Sequence, residues 1–253
     1  MSKTEGTSKM NQTPSEQSAG SLGVWALCRA ALPGLVFGLI AGLSCYWVAG
    51  PTLGAWIGPL ALVAAVGPLV VVAEEGLWRR LFAVAGIVDG LGAAWLWVMV
   101  RSPVELGQWL RCYLVLLGLA VALGGMVSLL HRARLPRAPA GGLVALVALG
   151  WLTWPIWTSP WLRGQKYEPL VERLSFAHPV LAVNVAVAPP LSQWVEDAFM
   201  YQQTALNQDV LYIAPRGVAW TVVVHLGVGV VLFGAAHWQA RSREAPRPEG
   251  EGS

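Results

Sequence analysis

Charge is what this sequence has least of. Asp, Glu, Lys and Arg make up 12% of its 253 residues, where soluble domains carry roughly a quarter. So few ionised groups cannot wet the outside of a compact globule of this size, which excludes an ordinary soluble protein. The same shortage excludes a wholly disordered chain and a coiled coil, both of which are rich in charged residues. Cysteine is scarce too. Cys28, Cys45 and Cys112 form neither a CxxC pair nor a disulfide framework, although Cys45 and Cys112 fall near the same membrane face. The sequence has no Walker phosphate loop, HExxH zinc pattern or GxSxG nucleophile turn. No Cys or His pair has zinc-ligand spacing, so no metal site is expected, and no enzymatic chemistry is indicated. The net charge of +3 is accounted for by arginines at one set of helix ends, so nucleic-acid binding is not expected.

What is abundant points one way. Hydrophobic residues reach 55%, with 14 Trp and 28 Gly, and the mean hydropathy is +0.54. Trp collects at membrane interfaces and Gly permits close helix packing in lipid. Crossing the hydrocarbon core takes about 20 apolar residues. Six stretches reach or approach that length: Pro33–Gly50, Thr52–Ala73, Leu81–Val100, Leu110–Leu130, Gly142–Leu162 and Val218–Trp238. The first is short and can extend back towards Leu22, and Gly50-Pro51 separates it from the second. The expected fold is therefore all-α, a polytopic membrane bundle of about six helices.

Lys and Arg set the orientation. With the N-terminus in the cytosol, 11 of the 17 basic residues face inward, and four of the six outer ones lie in a single long loop. Both termini are thus expected inside, in a bacterial inner (plasma) membrane. Residues 1–21 and 239–253 read as polar, disordered cytosolic tails. Between them lie five helices over 22–162, an outer loop over 163–217 and a final helix over 218–238. In that loop Leu191, Trp194, Val195 and Ala198 share one helical face, with Gln193, Glu196 and Asp197 on the other, which predicts an amphipathic surface helix carrying Trp194, Glu196 and Asp197.

Four features could carry function. Asp89 falls near the middle of the third span, where a carboxylate costs about 3 kcal/mol on insertion scales. It reads as a proton or cation relay, as part of a polar substrate path, or as a protonated acid bonded to a neighbouring helix. Gly34, Gly38 and Gly42 line one helix face and suit a close internal helix contact, or else a homodimer seam. The loop from Glu74 to Leu81 mixes Glu74, Glu75, Arg79 and Arg80 with Trp78. It suits either a snorkelling membrane anchor or a docking site for a cytosolic partner. The four histidines, His131, His178, His225 and His237, raise haem ligation, with His225 the one ligand candidate singled out. No cofactor is expected. Trp151, Trp154, Trp157 and Trp161 fall on one arc of the fifth helix and read as an aromatic belt plus helix packing, with a lipid or quinone groove as the functional alternative.

The loop between the second and third spans, with Glu75-Gly76 at its centre, resembles the coupling helix of ABC-2-type permeases. The stretch Leu22–Ala31 is similar to the amphipathic helix that precedes that family's first span, with one basic residue where several are usual. The resemblance implies a permease-like subunit that depends on a separate cytosolic ATPase. Without it, the residues alone suit an accessory or scaffold subunit whose outer loop binds a partner, or a haem-binding redox subunit. Lipid is the common partner in each case.

Overall fold

The computed structural model describes residues 19–50, 52, 54–157, 168–191 and 217–244. Every regular element among them is a helix: α1 (Ala19–Ala49), α2 (Gly54–Ala73), α3 (Leu77–Val100), α4 (Leu106–Arg132), α5 (Arg137–Trp157), α6 (Glu168–Ala177), α7 (Pro179–Leu191) and α8 (Ala219–Glu244). Six of these (α1 to α5 and α8) are long and apolar enough to cross a membrane. A backbone in lipid must satisfy its own hydrogen bonds, and uninterrupted helices do so. The chain is a multi-pass integral membrane protein.

The helices begin earlier than the apolar runs that announced them. α3 starts at Leu77 rather than Leu81, α4 at Leu106 rather than Leu110, and α5 at Arg137 rather than Gly142. Hydropathy registers only the hydrocarbon core, whereas a helix continues through the interface as long as its ends are capped. Glu105 and Gln108 supply such a cap to α4, with Gln108 Oε1 accepting from the Glu105 N–H at 2.8 Å. α1 likewise runs unbroken through Pro33, so Leu22–Ala31 is the first part of the spanning helix. Gly50 ends it in the left-handed region (φ 65°).

Neighbouring contacts give the helix directions. Gly34 meets Ala83 and Gly42 meets Ala94, so α1 and α3 run parallel. Gly118 meets His225 and Gly125 meets Gly229, so α4 and α8 also run parallel. Gly92 packs on Tyr113 and Gly124 on Val84, which sets α4 antiparallel to α3. Gly141 at the start of α5 meets Leu69 near the end of α2. The end of α5 and the start of α8 therefore lie at the same end of the bundle. The segment between them must return to the end from which it departs.

That segment was expected to be a loop, and part of it is helical and inserted. α6 and α7 meet at a 73° bend. Leu181, Ala182, Val183, Ala186 and Val187 on α7 are buried in the core. The bend is tied at both sides: Thr221 Oγ1 donates to the Phe176 carbonyl at 2.7 Å, and His178 bonds the carbonyls of Trp151 and Leu152. The amphipathic surface helix expected around Trp194, Glu196 and Asp197 lies outside the described residues.

Exposed tryptophans mark two levels on the bundle. Trp25, Trp78 and Trp238 stand at the end carrying the α2–α3 and α4–α5 connections; Trp47, Trp97 and Trp220 stand at the other. Along α1, α3 and α8 these pairs are 22, 19 and 18 residues apart, or about 27–33 Å at 1.5 Å per residue. The hydrocarbon core of a bilayer is about 30 Å thick. Other tryptophans serve the interior. Trp56 and Trp95 stack at 5.5 Å in the core, and Trp95 Nε1 donates to the Ala55 carbonyl at 3.1 Å.

Candidate functional site

α3 carries the most informative residues, and its three faces differ. One face is pressed on α1 with backbone touching backbone. A methyl group on Gly86 or Gly90 would lie 2.1 Å from the carbonyl oxygens of Ala31 and Leu35. From the other side, one on Gly34 or Gly38 would lie 2.4 Å from those of Ala83 and Ile87. Gly42 meets the Ala94 methyl in the same row. The interlock is thus reciprocal, with small residues spaced by four on both helices. Close approach of this kind is the main source of helix association where lipid removes the hydrophobic driving force. The interior face of α3 supplies Ile87, Leu91 and Trp95 to the core.

The remaining face points away from the bundle. It holds Phe82, Ala85, Asp89, Ala93 and Leu96, all exposed. Asp89 stands 11 residues from Trp78 and 8 from Trp97, or about 16 and 12 Å along the axis, close to the mid-plane set by the tryptophan levels. It does not point into a central path. Oδ1 accepts a hydrogen bond from the Tyr113 hydroxyl of α4 at 2.8 Å. Tyr113 is positioned by stacking on Trp109 at 5.3 Å, and Trp109 Nε1 donates to the Gly92 carbonyl at 3.1 Å. No basic residue lies at the depth of Asp89 in the sequence, so no partner is legible there. The partner is a phenol 24 residues away, and only helix packing brings it there. The second carboxylate oxygen has no hydrogen bond among the described residues.

At the start of α3 the mixed-charge loop divides. Gly76, with φ 86°, turns the chain between α2 and α3 in a conformation other residues resist. Trp78 and Arg79 are exposed. Glu74 and Arg79 line a 900 Å³ depression together with Trp25, Cys28 and Arg29 of α1. Arg80 instead turns inward, is only 3% exposed, and donates from Nε to the Glu74 carbonyl at 3.1 Å. Glu75 pairs with Arg137 of α5, and that guanidinium holds its carboxyl below the ordinary 4.5. Of the expected docking group, Glu75, Trp78 and Arg79 are exposed, Glu74 is half-buried, and Arg80 is turned into the bundle.

The histidines fall into two pairs. His131 and His237 line one cavity at the basic end. His178 and His225 both contact Trp151, at ring-centroid distances of 5.6 and 6.4 Å. His178, expected in a watery loop, is 1% exposed. Its Nδ1 accepts from the Leu181 N–H at 3.3 Å, which leaves Nε2–H to donate to the Trp151 and Leu152 carbonyls at 3.1 and 3.2 Å. Both nitrogens are therefore committed to holding the α6–α7 bend. His225 Nδ1 lies 2.9 Å from the Thr221 carbonyl, so that nitrogen carries the proton. Among the described residues no group of three His, Cys, Asp or Glu side chains could hold a metal ion. Trp151 and Trp154 pack on His178, so at these two positions the arc serves helix packing. Cys112 is buried and Cys45 partly so, and both are free thiols.

No family model, no curated protein and no solved structure matches this chain.

Proposed function

We propose that this protein is a non-catalytic subunit of a membrane complex and that it docks a partner transmembrane helix on the Asp89 face of α3. The observation that carries this reading is the position of Asp89: mid-plane depth, on the outside of the bundle, with one oxygen satisfied and the other open. A polar group facing hydrocarbon is costly unless paired. Ala85 and Ala93 flank Asp89 at four-residue spacing, so a second helix can come close enough to pair with it. The fitting partner is a helix with Lys, Arg, or an amide or hydroxyl donor at the same depth. The test is a photo-crosslinking residue at Ala85 or Ala93 in intact membranes. A discrete protein adduct in the wild type, lost in Asp89→Leu and weakened in Asp89→Asn, is the expected result. An adduct pattern indifferent to Asp89 overturns the reading.

A second reading, the permease-like subunit with a separate ATPase, is favoured by one observation. The 900 Å³ depression joins Glu74 and Arg79 to Trp25 and Arg29 of α1, the two stretches that resemble ABC-2-type permeases. Any substrate path would then run along the outer face of α3, where Asp89 lies, rather than through the bundle. Purification from native membranes without a nucleotide-hydrolysing subunit counts against it.

For orientation we infer a cytosolic basic end. Arg29, Arg79, Arg80, Arg132, Arg134, Arg137 and Arg241 belong to it, against Arg101, Arg111 and Arg173 at the other. The positive-inside bias then puts both termini in the cytosol of a cell with a bacterial-type inner membrane. A reporter fused after Ser253 should be active only in the cytosol.

A further inference from the structure

The basic end of the bundle holds an uncompensated positive charge around a partly open cavity, and this feature is independent of the Asp89 face. α3, α4, α5 and α8 converge there on a cavity of 250 Å³. Its wall includes the guanidinium groups of Arg80, Arg132 and Arg137, the rings of His131 and His237, and Ser128. The single carboxylate in the wall is Glu75, and it is taken by Arg137. Arg80 is 3% exposed, yet its only hydrogen bond among the described residues runs from Nε to a backbone carbonyl. Buried charges are ordinarily paired, and here no acid of the described chain pairs with Arg80.

Two further polar atoms point the same way. Ser128 Oγ, on a residue 1% exposed, and His131 Nδ1 are both buried without a hydrogen-bond partner. Such orphans are rare in folded proteins. Arginine forks, a hydroxyl and an imidazole nitrogen together match the oxygens of a tetrahedral anion. The volume is about eight times the share of one liquid water, about 30 Å³, enough for a phosphate group with part of its hydration. Basic pockets between helices at the cytoplasmic face are natural seats for anionic headgroups.

We propose that the cavity bounded by Arg80, Arg132, Arg137, Ser128 and His131 binds a phosphate group, carried either by an anionic phospholipid headgroup or by a small soluble phosphate. Arg80 and Arg132 supply the charge. Ser128 fixes the depth. Arg137, held by Glu75, closes the side.

The experiment uses the full chain, delipidated in a neutral detergent and read by native mass spectrometry and melting temperature. It is titrated with phosphatidylglycerol, with phosphatidylcholine, and with glycerol 3-phosphate. Phosphatidylglycerol should bind at least about tenfold more tightly than phosphatidylcholine, and Arg132→Gln and Ser128→Ala should each lose about tenfold. Ser128→Ala should melt no lower than wild type without ligand, which separates binding from folding. Arg132 stands at the end of α4, so its variant folds even if Arg80→Gln does not. Competition by glycerol 3-phosphate identifies the soluble source; phosphatidylglycerol binding without such competition identifies the lipid. Equal retention of both lipids with no glycerol 3-phosphate binding overturns the proposal. So does anion binding unchanged in Arg132→Gln and Ser128→Ala. Binding that appears only after removal of residues 246–253 also overturns it, because a carboxylate of Glu249 or Glu251 would then be the native occupant.

Discussion

Two rows of small residues run along α3, one step apart, and they have opposite fates. Gly86, Gly90 and Ala94 are buried under α1, so close that backbone meets backbone. Ala85, Asp89 and Ala93 have the same spacing and face outward. The first row is occupied by the chain's own helix and is purely apolar. The second is vacant and carries the only acid within the span. A helix face whose contact is made internally needs nothing but shape. A face that must select an outside helix gains from a polar group that rewards one partner and penalises the rest.

The largest expected effect breaks the first row. Gly90→Ala puts a methyl 2.1 Å from the Leu35 carbonyl oxygen, and neither backbone can move far, so a loss of about 3 kcal/mol is expected. Ala85→Leu, one row over, should change the protein's own stability by less than about 0.5 kcal/mol while blocking crosslinks at Ala93. Unfolding in graded detergent mixtures measures both. If the two variants behave alike, the rows are not different in kind.

Next in size is Asp89→Leu. It removes a carboxylate from lipid and should leave the chain as stable as wild type or more so. Partner adducts should fall at least about tenfold, the expected loss for a charge-assisted bond. A stability loss with unchanged adducts would make Asp89 a structural residue. Tyr113→Phe sharpens the same comparison. It takes away the bond to Oδ1 and should cost about 1 kcal/mol, visible in the melting curve of wild type and absent in the Asp89→Leu background.

The smallest effect concerns the anchor of the α2–α3 loop. Arg137 depresses the Glu75 carboxyl below its ordinary 4.5, so the ion pair contributes fully above that pH. Its contribution disappears as pH falls through the lower folded value. Glu75→Gln should therefore melt slightly below wild type at neutral pH, and the gap should close in acid. A gap that widens in acid would contradict the pairing. The pair is exposed, which keeps the effect small.

Much of this was legible in advance, and the boundary is physical. Hydropathy found all six spanning helices, because the solvent of each segment is a one-dimensional property of its composition. The Gly34–Gly38–Gly42 repeat packs closely on α3, whose reciprocal row at Gly86 and Gly90 has the same four-residue spacing. Arg79 and Arg80 look equivalent in sequence. One helical step of about 100° sends the first outward and the second into the bundle. His178 precedes the apolar run Pro179–Leu191, which together with Pro169–Ala177 is apolar enough for a broken span, so a sign of burial was present in the sequence but was masked by the prolines and polar residues around it.

By itself the sequence determined the solvent of the chain and the number of its spans, since both follow from counting apolar residues against a bilayer of known thickness. Which way Asp89 faces, that Tyr113 reaches it, that α7 packs into the core, and that Arg80 lines one cavity with Ser128 and His131 were decided only by tertiary packing. Those facts depend on helix rotation and neighbour choice, which are set by contacts between residues distant in the chain and leave no periodic trace along it.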